Sequence, residues 1–226
     1  FFERGRAPDH LMNAKDFASQ LASENEALLC GLARAPQVLA ESEKINVKKL
    51  LRMALKNEIE ATELAAHWLP STPEIDVKLG FARQAGDEEK HYRLIEDRLK
   101  ELGEDLTSFS PLGQGHSPLF QYLLTLESTV ERVAAGQFTR EAIALIKNRQ
   151  FIEFALAVGD EKTARLYSET IQPDEKFHHE LGRKFLEKYA ATEALQEKAR
   201  SAGRRTLELA EEFQELALVK MGVHHA

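Results

Sequence analysis

Apolar residues recur every three to four positions along most of the chain, and the recurrence lapses where Gly, Pro and Ser cluster. That spacing predicts an all-α protein of seven helices, because no segment alternates apolar and polar residues for long. The first helix spans roughly 13–34 and stops before Pro36. Asn46 caps the second, about 47–69, which ends at "LPSTP". Thr72 caps a third that runs to Gly103, with Pro73 at its first position and Glu74 and Asp76 in its first turn. The stretch "GEDLTSFSPLGQGHSP" then leads to a fourth helix capped by Ser117. That helix weakens at "AAGQFT", where Thr139 caps a fifth, about 140–158. A tight "VGD" turn opens a sixth, 160–189, and a polar seventh covers roughly 192–219 and suits packing or dimer formation.

Two helices break the expected rule that inward positions are apolar. In the third, Val77, Phe81, Ala85, Tyr92, Ile95 and Leu99 define a face, and Glu88 falls near its centre with His91 beside it. In the sixth, Tyr167, Ile171, Leu181, Phe185 and Tyr189 define the face, with His178 central and Glu175 adjacent. Each pair is Glu-x-x-His, and residues 47–102 and 140–188 repeat the same order of helix, turn and motif-bearing helix. A single such pair is usually a solvated or internally bonded polar pair. Two that face inward are different, because burying an ionised carboxylate without a partner costs several kcal/mol or more. Metal ions are the economical partner. Carboxylates suit hard cations and can bridge two of them, while imidazole binds terminally.

The remainder of the composition narrows the class. The 226 residues are 43% hydrophobic and 30% charged, which fits one domain over 1–226, with a core bundle at about 47–189 and flanking helices at about 13–34 and 192–219. A net charge of −7 without a basic stripe argues against a nucleic-acid partner. One cysteine, Cys30, excludes an internal disulfide or a cysteine zinc site and points to a reducing, cytoplasmic setting. No apolar run approaches about 18 residues, so no membrane span is expected. There is no Gly-rich phosphate loop and no nucleophile elbow.

The order Glu58, Glu88-x-x-His91, Glu, Glu175-x-x-His178 resembles the ferritin-like di-iron carboxylate superfamily over about residues 47–189. That superfamily includes ferritins, rubrerythrins, the tRNA-modifying di-iron hydroxylases and the aldehyde-deformylating oxygenases. The resemblance implies a ferritin-like four-helix bundle with additional N- and C-terminal helices. It also implies two iron ions, or a mixed Mn/Fe pair, bridged by Glu88 and Glu175 and bound by His91 and His178. On the second helix Glu58 flanks the face marked by Leu50, Ala54, Ala61, Ala65 and Trp68, whereas Glu60 lies further off and Glu63 points away. For the fourth carboxylate Glu127 is taken, since it sits mid-helix and "LESTVER" resembles the matching helix of the tRNA hydroxylases. Glu141 competes with it because it belongs to the helix joined to the sixth by the VGD turn, and Glu131 is a third option.

The implied activity is an O₂- or peroxide-activating dinuclear-iron oxidoreductase acting on a small-molecule substrate, with a homodimer compatible with the seventh helix. Its rivals are a ferroxidase or iron-storage protein and a metal-free helical interaction protein. His67 is read as a polar helix-end residue, His179 as solvated, His224 and His225 as tail residues, and Arg149 and Glu153 as an i, i+4 ion pair.

Overall fold

The computed structural model describes residues 12–33 and 46–220, and among these every regular element is helical. Helix α1 is Ala14–Ala33, α2 is Val47–Ser71, α3 is Ile75–Glu101 and α4 is Pro118–Leu124. Helix α5 is continuous through an α-helical turn Thr129–Arg132, a π-helical stretch Val133–Arg140 and an α-helical run Glu141–Ala157. Helix α6 likewise joins Glu161–Leu166, a π-helical turn Tyr167–Ile171 and Gln172–Tyr189. Helix α7 is Glu193–Lys220. No helix of the described residues is long and apolar enough to cross a membrane.

Two antiparallel hairpins form the centre. Helices α2 and α3 pack along their length, and α5 packs on α6. Asn46 Oδ1 caps α2 by accepting from Lys49 N at 2.9 Å, as its sequence position predicts. The α5–α6 turn works through Gly159, whose φ of +79° is open to glycine at no steric cost, and through Asp160, which accepts from Thr163 N at 3.0 Å. Helices α1 and α7 pack on each other and on the α5–α6 hairpin.

Three boundaries differ from the sequence reading. The break after α4 falls at Thr125–Ser128, before "AAGQFT" is reached, because Ser128 and Glu131 form a reciprocal capping box that starts α5 there. "AAGQFT" does not interrupt the helix; it widens it. Gly136 lies against the Trp68 ring, so close that a Cβ would come within 2.7 Å of it, and every residue from Val133 to Thr139 is buried. The other wide turn precedes Pro173, whose missing N–H and bulky ring disfavour a regular turn at that point. Finally, Thr72 closes α2 instead of capping α3, with its Oγ1 donating to the Trp68 carbonyl at 2.8 Å.

The core is split in two. One apolar cluster gathers Trp68, Phe81, Phe138 and Phe185, and the second gathers Leu51, Leu55, Ile95, Leu99 and Ile171. Reading along α2, the order is Leu51, Leu55, then Glu58, then Ala61, Ala65 and Trp68, all buried. Helices α3 and α6 show the same interruption, at Glu88 and His91 and at Glu175 and His178. A polar layer therefore lies between two dry ones.

Candidate metal centre

Six side chains from four helices meet in that layer. Glu58 comes from α2, Glu88 and His91 from α3, Glu141 from α5, and Glu175 and His178 from α6; all are buried. They form two sets, Glu58–Glu88–His91–Glu175 and Glu88–Glu141–Glu175–His178, in each of which one ligand-type atom per residue lies within 4.8 Å of the others. Glu88 and Glu175 belong to both sets.

The imidazoles are oriented alike. His91 Nδ1 lies 3.3 Å from Glu88 Oε2, 3.6 Å from Glu58 Oε2 and 3.8 Å from Glu175 Oε1. His178 Nδ1 lies 3.3 Å from Glu175 Oε2 and 3.8 Å from Glu88 Oε1. The opposite ring nitrogens point outward to aspartates of the other hairpin. His91 Nε2 is 3.1 Å from Asp174 Oδ2, and His178 Nε2 is 3.1 Å from Asp87 Oδ2. A carboxylate on one ring nitrogen fixes the tautomer and leaves the other nitrogen's lone pair for a ligand.

The fourth carboxylate is Glu141, and Glu127 is not part of the cluster. Glu127 is exposed in the turn between α4 and α5, because the Ser128 cap starts the helix one residue after it. The π-helical stretch immediately before Glu141 shifts it from the position that a wheel drawn at 100° per residue gives, and it faces the layer. Glu131 is occupied as the capping-box partner of Ser128. Glu60 accepts from Ser117 N at 2.6 Å and so holds the start of α4, and Glu63 meets His116 Nε2 at 2.8 Å. His67 is exposed. His179 is partly buried, not solvated: its Nδ1 donates to the Phe138 carbonyl at 2.7 Å and its ring stacks on Phe138. Arg149 and Glu153 form no ion pair among the described residues. His224 and His225 lie outside the described residues.

Electrostatics divides the carboxylates. Burial pushes the Glu58 carboxyl up to about 8, and Glu88 beside it adds to the rise against the opposing pull of His91. Burial also opposes ionisation of Glu88, but the hydrogen bond to His91 and the charges of Arg140 and His178 outweigh it and hold Glu88 near about 2. His91 is desolvated, which favours the neutral ring, yet Glu58 and Glu88 draw it up to about 10. Burial raises Glu141 and, together with Glu88, Glu141 and Glu58, raises Glu175 well above the usual carboxylate range. Without a cation in the layer, then, Glu88 and His91 form an ion pair, and burial favours the protonated form of Glu58 and Glu175.

Arg140 and Gln84 complete the layer. Arg140 Nη1 donates to Glu141 Oε1 at 2.9 Å and stands 4.0 Å from Glu88 Oε1, while its Nη2 donates to the Asn57 carbonyl at 3.3 Å. Gln84 Nε2 donates to the same Glu141 Oε1 at 2.7 Å. Glu141 Oε2 is buried with no hydrogen-bond partner, as is the Tyr167 hydroxyl in the adjoining cluster. A buried polar atom without a partner costs about 1–3 kcal/mol. The donor set therefore fits cations: four carboxylates and two inward imidazole nitrogens. Asp87, Asp174, Gln84 and Arg140 were not anticipated from sequence. A signal for the aspartates was present, since both motifs read Asp-Glu-x-x-His.

These features define an all-α protein with a buried carboxylate–imidazole centre. The chain belongs to the family described as "Protein of unknown function (DUF455)", whose model matches residues 13–219. No curated protein sequence matches it. Among solved structures it is similar to a TenA homologue from Pyrococcus furiosus, with 15% identity and a TM-score of 0.62, covering 89% of this chain and 99% of that one. At that identity the likeness speaks for a shared all-helical fold and nothing more.

Proposed function

We propose that the protein is a dinuclear metal protein of ferritin-like character, an oxidoreductase that uses two iron ions to activate O₂ or peroxide. The observation that carries this reading is the sharing of Glu88 and Glu175 between two four-residue sets, each with its own terminal carboxylate and its own imidazole. A single ion would need only one of the sets. Glu88 and Glu175 would bridge, Glu58 and Glu141 would bind terminally, and His91 and His178 would bind through Nδ1. When bound, an iron pair supplies redox and Lewis-acid chemistry toward O₂ or peroxide.

The chain's own groups serve that chemistry in three ways. Asp174 and Asp87 hold the two imidazoles in one tautomer and orientation. Arg140 offsets part of the negative charge beside Glu141 and Glu88. The apolar clusters on either side exclude bulk water from the polar layer. The His and Asp geometry also favours this reading over a metal-free polar network, since each outer ring nitrogen is taken by an aspartate and each Nδ1 is left facing the shared carboxylates.

Reconstitution of purified protein with ferrous iron under anaerobic conditions, followed by admission of O₂, tests the assignment. Rapid O₂ consumption with a stoichiometric optical change is expected from the wild type and not from His91→Ala. Assembly of closed shells with mineralised iron would favour storage instead. Wild-type protein that consumes no O₂ above the buffer rate would defeat the oxidoreductase reading.

A further inference from the structure

Outside the centre, a groove of ≈ 630 Å³ lies between α5 and α6. Its apolar lining is Leu145, Ile146 and Pro173. Arg149 and Lys176 are its cations. Lys176 lies 3.8 Å from Glu180 and is compensated, whereas Arg149 has no ion pair among the described residues. The groove thus combines an apolar surface with one uncompensated positive charge. Its volume is that of a small-molecule site.

The groove also adjoins the carboxylate layer. Leu145 stands one helical turn beyond Glu141, and Gln172 stands three residues before Glu175. Gln172 Nε2 donates to the Leu145 carbonyl at 3.0 Å, so this side chain bridges α5 and α6 between groove and centre. That bond fixes the orientation of the amide and leaves Gln172 Oε1 buried with no donor. An acceptor in that state calls for a ligand hydroxyl, amine or water. The π-helical turn Tyr167–Ile171 immediately precedes Gln172, so the wall is built on irregular backbone.

We infer that this groove is the substrate cleft of the metal centre, and that it takes an apolar chain bearing an anionic head. The inference rests on the dinuclear reading above for the word substrate, but not for binding. Arg149 takes the head, Leu145, Ile146 and Pro173 take the chain, and the far end passes Gln172 toward Glu141 and Glu175. Arg149 is eight residues beyond Glu141 on α5, which sets head and reacting end about 12 Å apart along the helix axis.

Decanoate is a suitable probe, with decanol and acetate as controls for head and chain. Calorimetric titration of the full chain should show saturable decanoate binding, weaker binding of both controls, and a loss of about tenfold or more on Arg149→Glu. Gln172→Leu should also weaken binding. Both variants should keep the wild-type metal content, which separates damage to the groove from damage to the centre. In cobalt(II)-loaded protein, the methyl end of decanoate should broaden more than its carboxylate end in proton spectra. Arginine-dependent binding by a protein that takes up no metal would support the groove and refute the metal reading alone. Decanoate binding indifferent to Arg149→Glu, or stronger broadening at the carboxylate end, would overturn the inference.

Discussion

Nε2 of His91 on α3 lies 3.1 Å from Oδ2 of Asp174 on α6, and the mirror contact joins His178 to Asp87 at the same distance. Each hairpin therefore orients the imidazole of the other. The repeat read in the sequence is also a structural one, since its halves exchange these aspartates. Lys90, donating to Asp174 Oδ2 at 2.6 Å, keeps that carboxylate ionised for the task.

Removing this support should weaken metal without unfolding the chain. For Asp174→Asn or Asp87→Asn the expected loss is about 10–100-fold in metal affinity, the usual effect of a lost carboxylate–histidine contact. Competition with a chromophoric chelator measures it, and circular dichroism should report unchanged helicity.

The two candidate carboxylates should separate cleanly. Glu127→Ala changes an exposed turn residue and should leave metal stoichiometry as in the wild type. Glu141→Ala removes a member of one four-residue set and should cut loading to about one ion per chain, read by elemental analysis after desalting.

Stability of the apo protein should fall as pH rises. Glu58 is raised from 4.5 to about 8 and His91 from 6.5 to about 10, so the folded state holds more protons than the unfolded state across that interval. Their contribution is complete below about pH 4.5 and 6.5 respectively, and is lost as pH passes 8 and 10. Glu88, lowered from 4.5 to about 2, acts oppositely and only at acid pH. Melting temperature should therefore drop by several degrees or more between about pH 6 and 9 in the apo protein, since each pKa unit corresponds to about 1.4 kcal/mol. Metal-loaded protein should show the reverse slope below neutrality, because protons compete with metal for the same carboxylates. Melts of both forms across that range check the sign.

The close approach of α5 and α6 at Gly182 is also testable. A Cβ on Gly182 would meet the Gln137 carbonyl carbon and the Phe138 nitrogen at 2.8 Å, backbone atoms that cannot swing aside. Gly182→Ala should cost about 1–3 kcal/mol in urea unfolding. It should also loosen the His179–Phe138 contact one turn away.

Much of the fold was legible because helical periodicity and caps are local signals. Asn46, Ser117 and Gly159 mark turns and ends by their own chemistry, and the inward faces of α3 and α6 follow from spacing alone. Five of the six clustered side chains are visible for the same reason. The sixth was obscured by backbone geometry, since the π-helical stretch before Glu141 turns later residues away from the predicted face. Ser128 and Glu131 were readable as a capping box, and weighing them above "AAGQFT" would have excluded Glu127. The crossed aspartates could not be assigned by spacing, because their partners lie on the opposite hairpin, 83 and 91 residues away in sequence.

The central claim is that the buried layer holds two ions bridged by Glu88 and Glu175. Anaerobic titration of metal-free protein with ferrous iron, with free iron and proton release followed together, addresses it most directly. Two equivalents should bind per chain with protons released, since burial favours protonated Glu58 and Glu175 until cations displace those protons. Glu88→Ala and Glu175→Ala should each reduce uptake at both positions. Saturation at one equivalent, or uptake unaffected by either substitution, would contradict the account.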